Sequence, residues 1–98
     1  VTTYGYSLRE LIKARLRYRE EAYDMAIRSA AEGKTYSNAL DPWYPELLYM
    51  VGLLYQQRGM DAAANAAYRE VSILFPASPW TTKSLEALEN LTSELSTL

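Results

Sequence analysis

Residues 45–78, PELLYMVGLLYQQRGMDAAANAAYREVSILFPAS, constrain the fold more than any other part of the chain. Residues 47–55 (LLYMVGLLY) are apolar on every side of a helix, so a helix there must be contacted from more than one direction. Gly52, in the middle of that run, costs about 1 kcal/mol in helix propensity relative to alanine. In exchange, its missing Cβ lets a second helix approach closely. Gly59 follows Gln56-Gln57-Arg58 and is placed to end the helix in a left-handed conformation. Asp61 is placed to cap a second helix, whose Ala64, Ala67/Tyr68, Val71 and Leu74/Phe75 share one face. Pro76 stops that helix. Ser78 and Pro79 then offer an N-cap and a first-turn proline for a third.

These residues resemble a tetratricopeptide repeat, a two-helix unit of about 34 residues built on a W-L-G-Y…A…F…P skeleton. With Pro45 as the first position, the skeleton falls on Leu48, Val51, Gly52, Tyr55, Gly59, Ala64, Tyr68, Val71 and Pro76. The opening aromatic and the leucine before the glycine are softened to Leu48 and Val51. The resemblance implies an all-α fold: a short, right-handed, TPR-like stack of about four helices, with the repeat unit at 45–78 and a cap helix over 79–98. It also implies a role in protein–protein interaction, as an adaptor, scaffold or small accessory subunit, with a chaperone or structural subunit of a bacterial secretion or membrane complex as the alternative. In such repeats the first helix of each pair forms a concave ligand face. Carried over residue by residue, that face presents Glu46, Tyr49, Met50, Leu53, Gln56 and Gln57, with residues 41–45 at its lip. Coverage by the preceding helix is the competing reading for Tyr49 and Leu53.

Setting the unit back by one repeat places Arg15, Arg19 and Tyr23 on the equivalent surface, Ala30 at a small-residue position and Pro42 at the closing proline. Tyr18 and Lys34 then stand where a glycine and a large apolar residue belong. The first repeat, residues 7–44, is therefore expected to be degenerate, one long helix replacing the usual pair. Stacked repeats need about three units to bury their faces. One well-matched unit between imperfect flanks is expected to be completed by its own first helix, by a second copy (a homo-oligomer), or by a larger assembly.

The remaining segments fill in this outline. Residues 1–6 read as an extended arm with two exposed tyrosines. Ser7 and Glu10 have capping-box spacing ahead of a helix expected to run to about Glu32, with Gly33 as its C-cap. Residues 34–40 read equally as a loop or a short helical turn. Asp41-Pro42-Trp43-Tyr44-Pro45 is a firm break. In the last segment Leu85, Leu88, Leu91, Leu95 and Leu98 form one stripe, read as the buried face of a cap helix in preference to a coiled-coil seam. Trp43, Tyr44 and Trp80 flank prolines at predicted junctions. They fit interface anchors and plugs at the ends of the stack equally well.

Composition narrows the chemistry. The 98 residues are 49% hydrophobic and 22% charged, which suits one folded domain. There is no cysteine and no histidine, which removes thiol and histidine catalysis, disulfides and Cys/His zinc sites. No nucleotide-binding glycine motif is present, no cofactor is expected, and a net charge of −2 argues against nucleic acid as a partner. The charge is uneven: residues 1–34 carry seven basic and five acidic side chains, residues 35–98 three and seven. Intramolecular complementarity is the simplest account of that asymmetry. Glu20, Glu21 and Asp24, and Glu86 and Glu89, form carboxylate clusters, but on polar helix faces, where solvation explains them better than acid–base catalysis. No apolar run approaches the roughly 20 residues of a membrane span. The YREVSILFPASPW segment is similar to the ends of repeats in bacterial envelope proteins, which implies a cell-envelope or periplasmic location, with the cytoplasm as the alternative.

Overall fold

The structure, a computed structural model, describes residues 5–96, with side chains as far as residue 92. Five helices follow one another: α1 (Tyr6–Arg19), α2 (Tyr23–Tyr36), α3 (Tyr44–Gln57), α4 (Asp61–Leu74) and α5 (Pro79–Ser96). No strand occurs among the described residues. The all-α expectation holds, with five helices in place of about four.

The extra helix arises because the expected long first helix breaks at residues 20–22. Glu21 adopts a left-handed conformation, φ +60°. The Ala22 amide donates to the Arg17 carbonyl at 2.8 Å and the Glu21 amide to that of Tyr18 at 3.0 Å. Gly59 closes α3 in the same way: φ is +73°, the Met60 amide donates to Tyr55 at 2.9 Å, and the Gly59 amide donates to Gln56 at 3.0 Å. Both are Schellman closures. A non-glycine residue in this conformation costs about 1–2 kcal/mol, so the packing of α2 back onto α1 must offset it. Neither Gly nor Pro lies between Arg19 and Tyr23 to announce the break.

The boundaries of α3 and α4 each lie 38 residues after those of α1 and α2. The chain is thus a helical repeat-like arrangement of two helix pairs and a terminal helix. The first unit is lengthened by its connection: seven residues, 37–43, join α2 to α3, whereas four, 75–78, join α4 to α5. At this offset Ala14 corresponds to Gly52, and Ala26 to Ala64. Consecutive helices pack together, and α3 also touches α1 and α5, while α2 and α4 meet through the Lys34–Glu70 ion pair.

The core lies on both sides of α3. Leu47, Met50, Val51 and Leu54 of α3 are buried against Leu11, Ala14, Ala26 and Ala30 of the first pair. On the other side Ala64, Tyr68 and Leu91 are buried, with Tyr49, Leu53, Ala87 and Leu88 packed around them. Each fully buried leucine contributes about 1.5–3 kcal/mol, and α3 supplies three of them. The all-round hydrophobicity of residues 47–55 has its cause here.

Several local expectations are corrected. Ser7 and Glu10 form no capping box. Gly5 is the N-cap, without a side-chain bond, and both Ser7 and Glu10 are buried in α1. Tyr6 is not part of an arm: it begins α1, its hydroxyl donates to Glu32 at 3.1 Å, and its ring meets Tyr36 edge-on at 5.2 Å. Residues 1–4 of the expected arm lie outside the described residues. Gly33 is not a C-cap but an interior residue of α2, where an added Cβ would come within 3.2 Å of Leu47. Asp61 is the first residue of α4 and Met60 its N-cap. Ser78 does cap α5, accepting the Trp80 amide at 3.2 Å. The buried face of α5 runs through Thr81, Ser84 and Leu91, and Leu85 points outward at 52% exposure. Leu95 and Leu98 lie beyond the described side chains.

Candidate interaction groove

Helices α3 and α5 converge on a groove of about 230 Å³ lined by Tyr49, Leu53, Gln56, Gln57, Lys83, Glu86, Ala87 and Asn90. Its floor is built from the repeat itself. Gly52 admits the Tyr68 ring from α4, and the Tyr68 hydroxyl donates to Gln56 Oε1 at 2.8 Å. The Tyr49 ring lies against Tyr68 at 5.7 Å and against Trp80 at 5.4 Å. Lys83 Nζ sits 5.0 Å from the centre of the Trp80 ring, within the range of a cation–π contact. Gln57, Lys83, Glu86 and Asn90 are exposed along the rim. The site therefore offers a partly covered aromatic and aliphatic floor, three amides, one cation and one carboxylate.

Burial pushes the Tyr49 phenol above its ordinary value, and the Tyr18 phenol and Glu86 carboxylate push in the same direction. Tyr49 therefore stays neutral at physiological pH and can donate a hydrogen bond without carrying charge.

Four of the six expected α3 residues, Tyr49, Leu53, Gln56 and Gln57, line this groove. Met50 does not. It is 7% exposed and belongs to the core against the first helix pair, because the 3.6-residue period turns it away from Tyr49 and Leu53. Glu46 is held by α1: Arg15 Nε and Nη2 donate to its two carboxylate oxygens. This bidentate pair gives Arg15 a partner within the chain and pins α1 to α3. Arg19 is exposed at the end of α1. Tyr23 packs edge-on against Tyr18 at 5.7 Å.

The junction aromatics are held by intramolecular contacts. Trp43 Nε1 donates to the buried Ser7 Oγ at 2.7 Å, tying the α2–α3 connection to α1. Tyr44 meets Phe75 edge-on at 5.8 Å. Only Trp80 of the three borders the groove floor, through Tyr49. The rim contribution of α5, namely Lys83, Glu86 and Asn90, was missed from sequence. Their i, i+3, i+7 spacing marks a polar helix face, which by itself does not distinguish a groove rim from a solvated surface.

A second, apolar groove of about 380 Å³ runs between α2 and α3, lined by Ile27, Ala30, Ala31, Lys34, Thr35, Val51, Leu54 and Tyr55. Two ion pairs link its surrounding helices: Lys34 to Glu70 at 3.5 Å and Arg58 to Asp24 at 3.4 Å.

Among the described residues no group of three or more acidic side chains is placed to hold a metal ion, and no helix is long and apolar enough to cross a membrane. Comparison with protein-family models, curated proteins and solved structures gives no match.

Proposed function

We propose that this chain is a tetratricopeptide-like module for protein–protein interaction, an adaptor, scaffold or small accessory subunit that holds a peptide or helix in the α3–α5 groove. The observation that carries this reading is the composition of the groove. A hydrophobic and aromatic floor contributed by Tyr49 and Leu53 is rimmed by Gln57, Lys83, Glu86 and Asn90, which suits a chain that brings both side chains and backbone polar groups. The exposure of Glu20, Glu21, Asp24, Glu86 and Glu89 supports a non-catalytic role, since acid–base catalysis needs a carboxylate held against substrate in a cleft.

Tyr49 and Leu53 both pack on the α4–α5 core, so truncating them confounds binding with stability. The exposed rim gives a cleaner test. Gln57→Arg combined with Asn90→Arg is expected to leave the melting temperature close to wild type. The same variant should lose the proteins that immobilised wild-type chain retains from its native extract. Ala62→Arg, exposed on α4, should retain them. An identical set of retained proteins for all three chains would rule out the groove.

The second reading, a structural subunit or chaperone in a larger complex, is favoured by the apolar α2–α3 groove, whose walls would be covered in an assembly. Co-purification of one stoichiometric partner that is lost on Ala31→Arg, but kept on Gln57→Arg with Asn90→Arg, would select it.

A further inference from the structure

The 38-residue correspondence between the two helix pairs allows α1 and α3 to be compared residue by residue. Leu47, Met50, Val51 and Leu54 form the i, i+3, i+4, i+7 stripe by which α3 packs on the helix pair before it, and all four are buried. Their counterparts on α1 are Arg9, Ile12, Lys13 and Leu16. All four are exposed, Ile12 and Leu16 at 51% each. Thus α1 keeps the two apolar contacts of a stacking face and places cations at the other two positions. At the opposite end of the row, α5 presents Thr82, Leu85, Glu86 and Glu89 with the same spacing, again all exposed, with Leu85 at 52%. This stripe has one leucine followed by two carboxylates on its C-terminal side. Each end thus sets apolar beside charged positions, and the two are opposite in charge.

We infer that the chain associates with itself head to tail, the α5 stripe of one copy docking on the α1 stripe of the next. Leu85 meets Ile12 and Leu16, while Glu86 and Glu89 meet Arg9 and Lys13. The contact is heterologous: each copy uses a different surface on either side, so it builds a row or a ring of more than two copies and does not close into a two-fold dimer. It is also separate from peptide binding in the α3–α5 groove, with which it shares only Glu86 at the rim. Stripes of four residues bury less than the roughly 1,200 Å² of a standard stable interface, so association is weak, concentration-dependent and, with charges at its edges, sensitive to salt.

Sedimentation equilibrium from micromolar to millimolar concentration tests this. The wild-type average mass is expected to rise past that of a dimer at low ionic strength and to fall when salt is added. Ile12→Glu with Leu16→Glu blocks the head, and Leu85→Lys with Glu89→Lys blocks the tail. Each variant alone should remain monomeric, while an equimolar mixture should reach the mass of two chains and stop there, since one free head meets one free tail. A wild-type monomer throughout the range would overturn the inference. So would a mass that plateaus at a dimer, or a blocked pair that stays monomeric on mixing. Were either variant unfolded by circular dichroism, the wild-type concentration and salt series would still decide the matter.

Discussion

Gly52→Ala is the substitution in which the packing of the central repeat can be weighed most directly. A Cβ at this position would lie 2.5 Å from Tyr68 Cε1, 2.6 Å from Cδ1 and 3.0 Å from Cζ. Carbon atoms in favourable contact stand about 3.5–4.0 Å apart, so the ring must retreat by about 1 Å. It has little room to do so: Tyr68 is fully buried, lies against Tyr49 and is fixed at its hydroxyl by Gln56. Overpacking of this kind costs about 1–3 kcal/mol, and loss of the hydroxyl bond adds about 1 kcal/mol. The helix propensity of alanine returns about 1 kcal/mol. The expected net loss is about 1–3 kcal/mol, read as a drop of about 4–8 °C in melting temperature for each kcal/mol in a domain of this size. Urea unfolding gives the same quantity independently. In a Tyr68→Val background the ring is gone, and Gly52→Ala should become stabilising by up to about 1 kcal/mol. An unchanged or raised melting temperature for the single variant, or an equal loss in both backgrounds, would refute the close approach of α4 at Gly52.

Two further outcomes follow from the backbone and from the tyrosines. Glu21→Gly relieves a left-handed conformation worth about 1–2 kcal/mol and concedes up to about 1 kcal/mol in unfolded-chain entropy, so the urea midpoint should rise; a fall would mean that the Glu21 side chain stabilises the turn. Burial raises the Tyr68 phenol well above its ordinary value of 10.0, and burial likewise raises Tyr44 and Tyr49. Above that ordinary value the folded state holds protons that the unfolded chain releases. The stability these groups contribute is therefore complete below about pH 10 and is lost as pH climbs through the raised folded values. Urea unfolding on the alkaline side should show this decline, and Tyr68→Phe should make it shallower; a pH-independent midpoint up to the point of denaturation would contradict the burial of these phenols.

The part of the fold that the sequence made legible is the part with local chemistry. Gly59, Pro76 and the Ser78-Pro79 pair each impose a backbone state through their own covalent structure, and the helix ends fall where they predict. Residues 47–55 announced contacts on several sides because no polar face remained to meet water. What stayed hidden depends on distant partners. Ser7 and Glu10 have the spacing of a capping box, yet Ser7 is claimed by Trp43 across 36 positions of sequence. Gly33 looks like a helix terminator, and only the arrival of Leu47 shows it to be a packing site. Glu46 and Arg15, each assigned to a ligand surface, neutralise one another across 31 positions. On the candidate groove, the α3 contribution was readable because it follows from one helical period. The α5 contribution was not, because it depends on how α5 crosses α3.

The same distinction explains why the first repeat looked defective. A set-back of 34 residues compares Tyr18 with Gly52 and finds a mismatch. The additional residues of the first unit lie in the 37–43 connection, where solvent tolerates them at small entropic cost, and the helices themselves keep equal lengths. At an offset of 38, Ala14 stands where Gly52 does, and Glu21 makes the turn that Gly59 makes. The first pair then differs from the second mainly in volume. Ala30 occupies the place of Tyr68, and Gly33 that of Val71, leaving an interface thin enough for Leu47 to seat between the helices. Small residues there and a large aromatic in the second pair are two solutions to one geometric requirement, a pair of helices close enough to bury the next helix. On this argument α1–α2 is a full member of the stack, and the exposed Ile12 and Leu16 on its outer side are the continuation of the same stacking surface.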